Sequence, residues 1–182
     1  MMKKSIDLNS LETKFLQPVL EIGMDYSNRD LHFEELNLAT ICISMYEQLE
    51  KPLSSVGYSL SVKPDEGFES NVFADRRIQQ VLPALLMNLL QEAPPPGTVF
   101  MIKPDRTRIS ICACDIILTE QKIIYLQSVA KAVELSNNPR DESLVIANQF
   151  ISLCKADLNI INDSEEGCCW RISFSDVKKV GR

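Results

Sequence analysis

The stretch Phe73 to Val99, FADRRIQQVLPALLMNLLQEAPPPGTV, decides the reading of this chain. Its apolar residues Ile78, Val81, Leu82, Leu85 and Leu86 recur at the spacing of one helical face, which predicts a central helix over 76–93. The Pro-Pro-Gly turn that follows cannot continue a helix, so Thr98 begins a strand. Pro83 interrupts the helical register. It removes one backbone bond and crowds the preceding turn, at a cost of roughly 3 kcal/mol in a regular helix, so a kink or restart is expected near Leu82.

Outward from this helix the pattern is mixed. Upstream, Leu11, Phe15, Val19 and Ile22 recur at helical spacing, which predicts an amphipathic helix to Met24, kinked at Pro18. Leu31 and Phe33 alternate with His32 and Glu34 as a half-buried strand does, and Asn37 caps a second helix that Pro52 and Gly57 end. Tyr58 to Lys63 reads as a strand, 64–67 as a turn, and Thr98 to Lys103 with Arg108 to Cys114 as a hairpin. Helices follow over 119–135 and 141–155, separated by a polar break at 136–140. Strands over 157–161 and 168–174 then close the chain around the turn 162–167. Strands alternating with helices predict a two-layer α/β sandwich.

Composition bounds the function. The 182 residues carry 45% apolar and 24% charged side chains and only 6 Gly, which is a globular composition with room for one domain and a small extension. A formal charge of -6 gives no basic footprint for nucleic acid. No apolar run approaches the roughly 18 residues of a membrane span, and the start MMKKSIDLNS lacks a signal-peptide core, so a cytoplasmic location is expected. Six cysteines, Cys42, Cys112, Cys114, Cys154, Cys168 and Cys169, lie among apolar neighbours. They read as buried reduced thiols, since Cys-x-Cys and Cys-Cys lack the spacing of common zinc knuckles. A metal or redox cluster joining the two strands is the alternative.

The central stretch resembles the opening of the ATP-binding domain of sensor histidine kinases, written roughly L-x-Q-V-L-x-N-L-L-x-N-A and then Pro-Pro-Gly. Ile78, Gln80, Val81, Leu82, Leu85, Leu86, Asn88, Pro95, Gly97 and Val99 fall in register. Val19 to Leu38 is similar to the end of the second dimerisation helix and the linker strand. Glu165-Glu-Gly167 and Trp170 to Phe174 are similar to the closing turn and strand. The resemblance implies the histidine-kinase-like ATPase fold, also called GHKL or Bergerat: a mixed sheet with helices on one face, behind an N-terminal amphipathic helix. It implies a dimerisation-helix-like segment over 1–30, the ATPase-like domain over 31–176, and a tail over 177–182.

The same resemblance assigns a nucleotide pocket. Asn88 stands at the magnesium-ligand position and Asp115 at the adenine-reading position. Each has a plainer role, Asn88 in satisfying nearby backbone groups and Asp115 in capping the next helix. The first family asparagine is Ala84, and the usual basic residue is Gln91. The first glycine box reads Asp115-Ile-Ile-Leu-Thr119, where β-branched Ile117 and Thr119 remove the conformational freedom and close approach that phosphate needs. The second reads Asp141-Glu-Ser-Leu144, which puts two carboxylates where phosphate oxygens would seek N–H groups. The paired small residues after the closing helix are Lys155 and Ala156. His32, the single histidine, lies in a strand rather than on a dimerisation helix.

These departures point to a pseudo-histidine-kinase domain without catalytic residues, cofactor or metal. It would act by protein contact in a two-component-type pathway, on a histidine kinase, a response regulator, or a second copy through residues 11–24. The alternatives are a weak magnesium-ATP-binding phosphotransfer protein and a small-molecule sensor whose vacated pocket is lined by Ile116, Ile117 and Leu118.

Overall fold

The computed structural model describes residues 7–24, 31–63, 70–132 and 137–175. The turn expected over 64–67 and the tail over 177–182 lie outside them. Helix α1 (Leu8–Met24) is followed by β1 (Phe33–Asn37), α2 (Leu38–Ser55), β2 (Ser59–Val62) and β3 (Asn71–Asp75). Next come α3 (Ile78–Leu90), the hairpin β4 (Val99–Asp105) and β5 (Arg108–Ala113), α4 (Glu120–Ala130), α5 (Pro139–Leu153), β6 (Ala156–Asp163) and β7 (Gly167–Phe174). Five strands form one mixed sheet in the order β2-β4-β5-β7-β6, parallel only between β2 and β4. β1 and β3 form a separate antiparallel pair.

Alternation sorts the sheet into two faces. Phe100 and Ile102 of β4, Ile109 and Ile111 of β5, Leu158 and Ile160 of β6, and Trp170 and Ile172 of β7 pack with the helices in one apolar core. The other face carries a register of cross-strand rows. Met101, Cys112, Cys169 and Ile161 stand side by side in one row, and Lys103, Ser110, Arg171 and Asn159 in the next. The expected two-layer α/β sandwich is the fold observed.

Helix α3 runs without a break through Pro83, and all of its residues from Val81 to Leu90 are buried. The expected restart does not occur. Pro83 lies in the second turn, so the missing N–H leaves only Gln79 without its helical donor, and burial on every side outweighs that loss. Likewise α2 continues past Pro52 to Ser55, held by buried Leu49 and Leu53 on either side of the proline.

The apolar stripe of α1 is spent within the chain. Leu11, Phe15, Leu16, Val19 and Ile22 are buried in the common core against α3 and α5. At Gly23 the helices come so close that a Cβ would lie 2.5 Å from Ile146 Cδ1. Arg140 of α5 pairs with Glu12 of α1 at 3.2 Å. Residues 11–24 therefore offer a second copy only the opposite face of this helix.

Candidate functional site

The two residues assigned to a nucleotide pocket meet different fates. Asn88 is buried near the end of α3, where its Nδ2 donates to Ala84 O at 3.0 Å and to Ser143 Oγ at 3.2 Å. Ser143, fully buried at the start of the second turn of α5, donates in turn to Arg140 O at 2.7 Å. Asn88 thus bridges two helices, with its amide nitrogen committed to protein oxygens. Asp115 is exposed in the turn after β5.

The segment after Asp115 forms a strap fastened to β6 and β7. Asn162 clasps Leu118 twice: its Oδ1 accepts from Leu118 N at 3.1 Å, and its Nδ2 donates to Leu118 O at 2.6 Å. Cys168 N donates to Ile116 O at 2.7 Å. Ile116 and Leu118 point into the core, whereas Ile117 is 79% exposed. The three residues expected to line one small-molecule pocket therefore divide between core and solvent, and that reading is corrected. Period-two alternation along an extended segment is the reason.

Helix α4 starts at once from this strap. Thr119 caps it by accepting from Lys122 N, and Lys122 reaches back to Glu92 at 3.4 Å, tying α4 to the end of α3. The Cys168 thiol beside this junction is pushed up to about 12, first by burial and then by the Glu92 carboxylate. It stays protonated at neutral pH.

The start of α5 is closed in its own way. Asn138 caps it by accepting from Arg140 N at 3.0 Å, Pro139 occupies the first turn, and Asp141 and Glu142 complement the helix dipole. The cap takes the Arg140 N–H, and Pro139 brings none. Gln91, at the position where the resemblance expects a basic residue, holds its Nε2 buried with no hydrogen-bond partner among the described residues.

The cysteines split into two classes. Cys42, Cys154 and Cys168 are buried free thiols, as expected, and Cys114 is free and exposed. Cys112 and Cys169 are instead joined as a disulfide, which corrects their reading as reduced thiols. They oppose each other directly on β5 and β7, with Cα atoms 4.1 Å apart. Glu166, from the turn between β6 and β7, places Oε2 3.7 Å from the Cys112 sulfur and 4.0 Å from that of Cys169. Its Oε1 accepts from Lys103 Nζ at 3.1 Å.

The sequence singled out Asn88 and Asp115 by resemblance but gave no sign of the contacts made by Ser143, Asn162 and Glu166. Nothing local marks these three, because each acts on a partner at least 44 residues away. Asn162 and Glu166 look like ordinary turn residues in Asn162-Asp-Ser-Glu-Glu-Gly167. His32 is an exposed residue ahead of β1, with its backbone N–H donating to Asp75 Oδ2 at 3.0 Å.

No protein-family model matches the chain, and no curated protein matches it in sequence. Solved structures do match in three dimensions. The cytoplasmic segment of histidine kinase QseC superimposes with a TM-score of 0.68 at 11% identity, covering 96% of this chain and 100% of that one. The Acinetobacter baumannii histidine kinase AdeS gives 0.59 at 13% identity over 90% of this chain and 76% of that one. The mycobacterial sensor histidine kinase MprB gives 0.54 at 15% identity over 79% and 97%. The chain has the fold of histidine kinase ATP-binding domains, with a helix in front.

Proposed function

We propose that this chain is a non-catalytic signalling module, a pseudo-histidine-kinase domain that works by protein contact in a two-component-type pathway in the cytoplasm. Asn88 and Asp115 are the vestiges of its nucleotide pocket. The observation that carries this reading is the Asp115–Thr119 strap. A phosphate loop needs free backbone N–H groups and open space above them. In this strap Leu118 N is taken by Asn162, Ile116 and Leu118 are turned inward, and β-branched side chains stand at both glycine positions.

Two further features support it. Asn88 spends its amide nitrogen on Ala84 and Ser143, and two carboxylates occupy the first turn of α5. Exposed Ile117, Ile124 and Tyr125 on the strap and α4 give a partner apolar surface in the same region. The partner class is a histidine kinase, a response-regulator receiver, or a second copy of the chain.

Calorimetry with ATP and ADP, with and without magnesium, tests the proposal. The expected result is no magnesium-dependent heat. Micromolar binding that drops on Asp115→Ala would overturn it in favour of an ATP-binding enzyme. Light scattering of the whole chain, alone and with a purified receiver domain or kinase, tests the partner. A monomer that binds neither leaves the module without its function.

A further inference from the structure

Away from the nucleotide-pocket positions, the sheet face opposite the helices gathers three ligand-bearing side chains. The sulfurs of Cys112 and Cys169 and a carboxylate oxygen of Glu166 all lie within 4.8 Å of one another. We propose that, once the Cys112–Cys169 bond is reduced, these three residues bind one thiophilic divalent cation of the zinc class, with water in the fourth position.

The geometry of the carboxylate carries the argument. Sulfurs bonded to each other have no hydrogen to donate, yet Glu166 aims Oε2 at both, at 3.7 and 4.0 Å. That arrangement calls for positive charge between oxygen and sulfur. In a tetrahedral zinc site with Zn–S near 2.3 Å and Zn–O near 2.0 Å, an S···O edge is about 3.5 Å, close to both separations. The carboxylate already stands almost where a ligand would. Only the two sulfurs need to part, and cross-strand neighbours on one sheet face can do so by side-chain rotation.

Lys103 completes the environment. Its ammonium holds Glu166 Oε1 at 3.1 Å, which leaves Oε2 for the metal and orients the carboxylate as an outer partner orients a ligand. Two thiolates and a carboxylate around a divalent cation leave one negative charge. Lys103 offsets it. Cys112 and Cys169 are fully buried, whereas Glu166 and Lys103 are partly exposed, so a cation would reach the sulfurs from the side of this pair.

The chemistry balances in two steps. A phosphine reductant cleaves the S–S bond, takes up oxygen from water to become its oxide, and leaves two thiols. Binding of the cation then forms two metal–sulfur bonds and releases two protons. Either form joins β5, which ends two residues before Asp115, to β7.

The test is titration of the full chain with cobalt(II) and zinc(II) under a phosphine reductant. One cobalt(II) per chain is expected, with a near-ultraviolet thiolate charge-transfer band and tetrahedral visible bands that zinc(II) displaces. Without reductant no band should form. Cys112→Ser and Cys169→Ser should each abolish it, Glu166→Gln should weaken affinity by about tenfold or more, and Cys114→Ser should leave it unchanged. No band in the reduced protein, or one that survives both serine variants, overturns the proposal. If either serine variant fails to fold, Glu166→Gln decides, because an unchanged affinity there also overturns it.

Discussion

Asn88 Nδ2 lies 3.2 Å from Ser143 Oγ, a hydrogen bond between α3 and α5 that spans 55 residues of sequence inside the buried core. The residue that the resemblance puts at the magnesium-ligand position ties one helix to another. Asn88→Ala should therefore cost about 1–2 kcal/mol of stability, by removing the donor to Ser143 Oγ and leaving a small gap between α3 and α5. Ser143→Ala should cost a similar amount, and the double variant less than the sum, because the two share one bond. Denaturant unfolding of the four proteins reads the coupling, and additive losses would show that the bond contributes nothing.

The strap makes a second prediction. Asn162→Ala removes both bonds to Leu118 at the edge of the sheet and should lower stability by about 1 kcal/mol. Amide hydrogen exchange at Leu118 should accelerate far more than exchange in α3, since the loss is local. Equal acceleration at both sites would mean that the strap has no stability of its own to lose.

Much of the fold was legible because its signals are local. The hairpin β4–β5 and the pair β6–β7 alternate with period two, and α1 and α3 keep helical spacing around their prolines. Strand β3 was not legible. The pairing of Asn71 to Asp75 depends on β1, about 38 residues earlier, and nothing local announces it. Phe73, half exposed, stacks on Phe33 with centroids 6.0 Å apart, a contact that neither segment announces. For the site, the resemblance singled out Asn88 and Asp115, but what Asn88 touches could not be read from the sequence. Its partner Ser143, like the clasp of Asn162 and the carboxylate over the sulfurs, exists only after the sheet has assembled.

Asp75 sets the acid limb of stability. It is buried at the end of β3, where its carboxylate accepts from the Arg77 guanidinium and backbone and from His32 N. Arg77 foremost, against the opposing effect of burial, holds its carboxyl down at about 2. A folded value below the unfolded one of about 3.9 means stability that is complete above pH 4 and lost as pH falls toward 2. The shift is worth about 2 kcal/mol. Unfolding measured from pH 6 to pH 2 should show this loss, and Asp75→Asn should be less stable at pH 6 while falling less steeply below pH 4. Parallel pH profiles for the two proteins would remove Asp75 from the account.

Among the described glycines, Gly167 is the one where an added Cβ would meet its neighbours most closely. It opens β7 with φ of 74°, and a Cβ there would lie 2.3 Å from Ala113 O and 2.9 Å from Cys114 O. Both obstacles are backbone, so no side chain can swing aside. Gly167→Ala should combine left-handed strain with a clash against the end of β5 and cost about 2 kcal/mol or more. The damage should also reach Glu166 and Cys168, its chain neighbours, and through Cys168 N the strap at Ile116. Thermal unfolding reads the first effect, and hydrogen exchange at Cys168 the second. Full stability with normal protection there would mean that β7 can shift along β5 at little cost, against the close approach that fixes its register.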